Sequence, residues 1–329
     1  MKRIKAGLIG LGRFAELHLR CLDQIVDVEV AAVCDVDAER ADRVARARGC
    51  NFYTDWNRML ERESLDAIHV LTPEHAHVEP AVAALRDGCS VFVEKPLALD
   101  VAGACHIRDV AGASDGLLMV GHVCRFDVRY ALAMDAIRQG KLGAVRSLYA
   151  RRNNMNKFFP LYRRTHPFFT LGIHDIDLFR WFTSSNVTEV YARSGKDANG
   201  HTDLVWAMLK FENGVIGVVE NHWLLPDGAP AFMDSAMEIV GDGGIYQLRE
   251  PDQSAVLWSR SETLAPPLFS SGELHGKLTG PLLEELRHFY DCVERNAASD
   301  ILLPDDAVKA VEVAEAVVCS CEIGQPVVL

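Results

Sequence analysis

Two hydrophobic rhythms divide this chain. Up to about residue 122, short and largely apolar runs (Ile4–Ile9, Val28–Cys34, Ala67–Leu71, Ser90–Val93, Leu117–Val120) alternate with stretches whose apolar residues recur every three or four positions. Helical spacing shows at Phe14, Leu17, His18, Cys21 and Leu22, over Ala38–Arg48, over His77–Leu85, and in a helix capped by Asp100. Short apolar strands separated by helices predict a doubly wound parallel sheet covered on both faces. From Val145 the rhythm becomes one of alternation. Leu204–Phe211 and Val215–Asn221 flank Asn213-Gly214, and Met237–Val240 and Ile245–Leu248 flank Gly241-Asp242-Gly243-Gly244. Such turns join antiparallel strands, so the second half is expected to hold a large, mainly antiparallel sheet with one open face. Two helices close the chain, Pro281–Asn296, with Leu282, Leu286, Phe289 and Val293 on one side, and Asp305–Glu322. Residues 260–280, with Pro266-Pro267 and Ser270-Ser271-Gly272, are expected to form an ordered loop. The fold class is therefore α/β, with one domain over 1–122 and a second over 123–329.

The junction of the first run with the first helix carries chemistry. Gly10-Leu11-Gly12-Arg13-Phe14-Ala15 is a G-x-G-x-x-A sequence placed directly between a strand and a helix, the context that makes a glycine motif a dinucleotide-binding fingerprint. Gly10 makes the tight turn and Gly12 admits a pyrophosphate to the backbone. Ala15 lets the helix, whose N-terminal N–H groups face the phosphates, lie close to the sheet. Asp35 ends the second run, where an acid accepts hydrogen bonds from the adenosine ribose and repels a 2′-phosphate. NAD is thus favoured over NADP; the nearest cation that bears on the choice is Arg40.

Composition narrows the partners. The 329 residues suit two domains, and 49% hydrophobic with 24% charged residues suits a soluble enzyme. A net charge of −12 disfavours nucleic acid and anionic membrane. No apolar stretch reaches the roughly 18 residues that cross a bilayer. Met1-Lys-Arg-Ile-Lys5 is followed by too short an apolar run for a signal peptide, so a cytoplasmic location is expected. Nine cysteines without a CxxC pair suggest free thiols in a reducing compartment, and no spacing of His, Asp, Glu and Cys suggests a metal.

At Glu94-Lys95-Pro96 a buried strand ends in a lysine, on the carboxyl edge where α/β sheets bind ligands. The ammonium of Lys95 is placed to orient a nicotinamide or a substrate hydroxyl and to help move a proton. Together with the glycine loop, Thr72-Pro73-Glu74-His75-Ala76-His77, Gly172-Ile173-His174-Asp175-Ile176-Asp177 and the Gly140–Gly143 turn, this segment resembles the Gfo/Idh/MocA oxidoreductase family over almost the whole chain. The resemblance implies a Rossmann domain followed by an α/β domain whose open sheet supports the site and a homodimer or homotetramer contact. It implies hydride transfer between nicotinamide and a ring carbon of a sugar, nucleotide sugar or cyclitol. Lys95 falls on the family's catalytic lysine and His174 on its active-site histidine. Cofactor contacts are expected from Gly10, Gly12, Arg13, Phe14, Asp35, Thr72, Pro73, His77, Glu94 and Lys95, and substrate contacts from Arg125, Tyr162, Thr170 and Asp177.

One departure matters. Many polyol dehydrogenases of the family have aspartate four residues before the histidine, where this chain has Thr170. Threonine hydrogen-bonds a hydroxyl but does not titrate near neutrality, which leaves His174 as acid–base alone, oriented by Asp177, with Asp175 structural. Tyr162 and His166 are further candidates to replace the carboxylate. Arg151, Arg152, Arg163 and Arg164 suit either an anionic substrate or a solvated basic edge. Two other functions compete with dehydrogenation: glycoside cleavage through transient oxidation with NAD retained, and a regulatory NAD-binding protein without catalysis.

Overall fold

The structure, a computed structural model, describes residues 3–251 and 272–329, and the backbone at 257–258 and 263–264. Its chain forms two compact units, one of Met1–Phe126 with Glu273–Val308 and one of Asp127–Gly272 with Lys309–Leu329.

The first unit holds a parallel six-stranded sheet of β1 (Ile4–Ile9), β2 (Val28–Cys34), β3 (Asn51–Tyr53), β4 (Ala67–Val70), β5 (Ser90–Val93) and β6 (Leu118–Val120), in the order β3-β2-β1-β4-β5-β6. That is the doubly wound dinucleotide-binding order. Every residue of β4 and β5 is buried, as strands covered on both faces require. Helices α1 (Arg13–Leu22), α2 (Ala38–Arg48), α3 (Trp56–Arg62), α4 (Val78–Arg86) and α5 (Val101–Gly112) connect them. Asp100 caps α5 through Gly103 N at 2.7 Å, as the sequence suggests. The three-residue β3 and the short α3 have too little apolar periodicity to be read from sequence.

The second unit opens with α6 (Val128–Arg138) and is built on β7 (Val145–Met155), followed by the four-residue α7 (Phe159–Tyr162) and α8 (Ile173–Thr183). Strands β8 (Val187–Lys196), β9 (Thr202–Phe211), β10 (Ile216–Leu225), β11 (Met233–Gly241) and β12 (Ile245–Glu250) complete the sheet with a C-terminal strand, Val327–Val328. The order is β12-β11-β7-β10-β9-β8 and then the C-terminal strand. Both expected hairpins form, with β9 antiparallel to β10 and β11 to β12; β7 and β10 pair in parallel, so the sheet is mixed at its centre. On β9 the residues Val205, Ala207, Leu209 and Phe211 are buried while Trp206, Met208 and Lys210 face outward.

A single cut near residue 122 does not describe this chain. In α9 (Pro281–Arg295), Leu286 and Phe289 are fully buried and Leu282 and Val293 partly so, all in the core that holds Leu19 and Leu22 of α1. The expected apolar face exists, but it completes the first unit. The final helix, α10, spans Pro304–Ile323. Residues 260–271 of the expected loop lie outside the described side chains, and Gly272–Leu274 pairs with Lys277–Thr279 as a short hairpin.

Candidate functional site

The glycine loop leads directly from β1 into α1. Gly10 adopts φ +92°, and a Cβ there would lie 2.7 Å from Thr72 N, so both backbone conformation and crowding exclude other residues. A Cβ at Gly12 would meet nothing within 4 Å, and no side chain caps the helix N-terminus that Gly12 begins. Open space beside an uncapped helix start is what a pyrophosphate needs. Arg13 and Phe14 are exposed beside it, so Phe14 departs from the apolar stripe, and the buried face of α1 is Ala15, His18, Leu19, Cys21 and Leu22.

Asp35 is 6% exposed and tied to this loop: its carboxylate accepts from Leu11 N at 2.7 Å and from Asp37 N at 2.9 Å. It does not cap α2; Asp37 does, accepting from Arg40 N. Arg40, half-exposed, donates to both Asp35 oxygens at 3.1 and 3.2 Å and forms an ion pair with Asp37 at 3.2 Å.

The ends of β4 and β5 bring Thr72, Pro73, Glu94 and Lys95 to the carboxyl edge of the same sheet, with Lys95 partly exposed. His77 is buried, with one ring nitrogen 2.8 Å from the Pro96 carbonyl and the other 2.9 Å from that of Thr72; burial pushes its pKa down. It braces the two loops from inside. Arg125 is also internal to this unit. Its side chain, 3% exposed, donates to the Ile301 carbonyl at 2.6 Å and pairs with Asp306 at 3.0 Å. Those partners make it a clamp on the segment entering α10, and the substrate contact expected of Arg125 is not retained.

In the second unit a π-helical turn, Phe168–Gly172, runs into α8. Such wide turns often reshape a helix at a functional position. Here it carries Thr170, buried, whose hydroxyl donates to the Pro167 carbonyl at 3.2 Å. His174 is partly exposed, whereas Ile173 and Asp175 through Phe179 are buried. Asp177 is fully buried within the helix. Asp175 pairs with Arg152 of β7, whose guanidinium approaches its two oxygens at 2.8 and 3.4 Å. Burial pushes the Asp175 carboxyl up and Arg152 pulls it back.

The four arginines therefore do not act as one anion site. Arg152 is neutralised internally and Arg151 donates to Asp234 at 2.8 Å, while Arg163 and Arg164 are exposed. Tyr162 stacks on Trp223, with ring centres 5.0 Å apart and planes at 14°. His166 accepts from Phe168 N through Nδ1 at 3.3 Å, which assigns its proton to Nε2, a buried atom with no hydrogen-bond partner among the described residues. Burial pushes this imidazole down to about 4.

Sequence reading missed one constellation, a run of hydrogen bonds from Tyr290 through His69 and His18 to Glu94. The available signal was a histidine within an apolar stripe and another within an apolar strand. No helix among the described residues is long and apolar enough to cross a membrane, and no cluster of three or more metal-ligating side chains occurs among them.

Comparison with known proteins extends these local features to the whole chain. Residues 4–122 match the model of the oxidoreductase family with an NAD-binding Rossmann fold, and residues 130–247 match the GFO/IDH/MocA C-terminal domain. The scyllo-inositol 2-dehydrogenase (NAD(+)) of Bacillus subtilis (strain 168) is 27% identical over 99% of this chain and 96% of its own. The inositol 2-dehydrogenase of Pseudomonas savastanoi pv. phaseolicola is 30% identical over 76% and 75%. The crystal structure of myo-inositol 2-dehydrogenase from Lactobacillus plantarum superposes with a TM-score of 0.87 at 24% identity, covering 100% of both chains. This chain belongs to the Gfo/Idh/MocA oxidoreductase family, whose first domain binds NAD.

Proposed function

We propose that this protein is an NAD(+)-dependent dehydrogenase that oxidises a ring carbinol of a cyclitol. The observation that carries the substrate class is the end-to-end likeness to an NAD(+)-linked scyllo-inositol 2-dehydrogenase, in a chain that keeps a lysine at the end of β5. The fit to NAD rests on the open space at Gly12, the uncapped start of α1 and the acid at the end of β2. Bound NAD(+) supplies the hydride acceptor.

The remaining chemistry belongs to side chains. Asp35 receives the ribose hydroxyls and disfavours a 2′-phosphate. Arg40, held by Asp35 and Asp37, shares its charge with two carboxylates and is poorly placed to reverse that preference. Lys95 stabilises the oxygen of the reacting carbinol as its proton leaves, and His174 takes the proton. Thr170 contributes a hydrogen bond at the position where a carboxylate would share that task. Trp206, Met208, Tyr191 and Ile216 are exposed on the open sheet face, an apolar area that suits a second copy of the chain, as homodimer or homotetramer. All nine cysteines are free thiols, which suits the cytoplasm.

Myo-inositol, scyllo-inositol, sugar acids, aldoses and nucleotide sugars should be screened for NADH formation, with a cyclitol expected to give the highest kcat/KM. Lys95→Ala and His174→Ala should each bind NAD and lose about two orders of magnitude or more in turnover. A better kcat/KM with a sugar would replace the substrate class. Tight NAD without net reduction during glycoside turnover would replace the reaction. Near-normal turnover in Lys95→Ala would remove that lysine from the chemistry.

A further inference from the structure

Inside the first unit lie three buried polar side chains to which the proposed reaction gives no part. His18 comes from α1 and His69 from β4, both fully buried, and Tyr290 comes from α9 with 3% of its surface exposed. The Tyr290 hydroxyl is 2.7 Å from His69 Nε2, His69 Nδ1 is 3.3 Å from His18 Nδ1, and His18 Nε2 is 3.1 Å from Glu94 Oε1. Aromatic rings enclose the line. Phe92 stacks on His69 with ring centres 5.4 Å apart, Phe289 meets His69 edge-on at 5.7 Å, and Phe14 meets His18 at 5.3 Å.

With His18 neutral, the terminal carboxylate sets the direction of every bond. A carboxylate only accepts, so His18 Nε2 donates to Glu94. A neutral His18 then has an acceptor at Nδ1, to which His69 Nδ1–H donates, and His69 Nε2 is left to accept from the Tyr290 hydroxyl. Each neutral ring uses one donor and one acceptor, so the line is satisfied with a single charge, at its partly exposed end, Glu94. Burial pushes His69 well below the ordinary imidazole range, consistent with a single N–H on that ring. Moving each proton one step toward Glu94 would leave a phenolate in the core, and burial pushes the Tyr290 phenol up. The line therefore aligns dipoles on Glu94 and does not conduct protons. Glu94 also accepts from Lys95 N at 3.2 Å and is 13% exposed. Its carboxylate sits where the buried chain meets the ligand-binding edge of the sheet.

We infer that His18, His69 and Tyr290 form a positioning relay that fixes the Glu94 carboxylate, and through it the Lys95 backbone, for the bound dinucleotide. The inference uses the expected cofactor contact of Glu94 and the proposed role of Lys95. Its test is read on NAD binding, which needs no substrate.

The measurement is a double-mutant cycle of Tyr290→Phe with Glu94→Gln on the full chain, following NAD affinity by titration. Tyr290→Phe alone should weaken NAD about fivefold, the effect of one lost hydrogen bond of about 1 kcal/mol. In the Glu94→Gln background the same change should shift NAD affinity less than about twofold, because an amide accepts or donates and no longer dictates the direction of the line. Equal effects in both backgrounds, or no effect of Tyr290→Phe on NAD, would make the residues core packing and overturn the relay. Imidazole nitrogen NMR of the unsubstituted protein tests it without any variant. His18 should carry its proton on Nε2 and His69 on Nδ1, and the opposite tautomer in either ring overturns the relay. A protein that shows the coupling but oxidises no cyclitol sinks the proposed substrate and leaves the relay standing.

Discussion

The two sheets treat their polar residues in opposite ways. In the parallel sheet of the first unit, the groups suited to a ligand lie at strand ends and on backbone, where Gly12 leaves open space and Asp35 closes over the loop from the next strand. In the mixed sheet of the second unit, charge enters the layer itself: Arg152, in the middle of β7, is buried against Asp175. The first arrangement leaves backbone donors available. In the second, charged side chains pair with each other, and His174, one residue before Asp175, is the partly exposed residue of its helical turn. A charged residue in a motif is thus available for chemistry only if no distant partner has already claimed it.

That contrast is open to attack where it is strongest. Asp175→Ala removes the carboxylate that Arg152 pairs with at 2.8 Å in a buried layer, and should lower unfolding stability by about 3–5 kcal/mol, read from urea denaturation. A loss below about 1 kcal/mol would mean that other contacts of the guanidinium, such as the Tyr130 hydroxyl at 3.3 Å, suffice, and the pair would not be what holds the layer. Asp35→Ser tests the first unit, where charge serves a ligand. Loss of charge-assisted hydrogen bonds should weaken NAD by about 1.5–3 kcal/mol while NADP gains relative to it. If the unsubstituted protein binds NADP the more tightly, Arg40 outweighs Asp35. The smallest effect is expected at Thr170→Val, about 1 kcal/mol in kcat/KM for one lost hydrogen bond. A loss equal to that of His174→Ala would place Thr170 at the centre of substrate binding.

Legibility followed range in sequence. The strand–glycine–helix element, the cap at Asp100 and the hairpin at Asn213-Gly214 each depend on neighbours a few residues away, and each stands where the pattern put it. Arg125 shows the opposite case. Its position after the last parallel strand suggested a ligand contact, yet its partners Ile301 and Asp306 lie far along the chain and turn it into an internal clamp. The same holds for α9, whose apolar face was evident while the unit it completes was not. Phe14 shows the limit of spacing alone: it falls in the apolar rhythm of α1, yet the structure leaves it exposed beside the glycine loop.

What the sequence determined by itself is therefore the local grammar: two kinds of sheet, a dinucleotide loop, an acid that suits NAD, and a lysine and a histidine in a family pattern. The sheets, the loop and the acid follow from hydrophobic period, backbone freedom at glycine and the fixed geometry of a strand entering a helix, whereas the lysine and the histidine rest on the family resemblance. Only the tertiary structure decided which charged residues are already paired, that β7 and β10 run in parallel, and that Tyr290, His69 and His18 line up on Glu94. Hydrogen bonds and ion pairs form between groups brought within about 3 Å by packing, and no spacing along the chain encodes that meeting when the partners lie 221 residues apart.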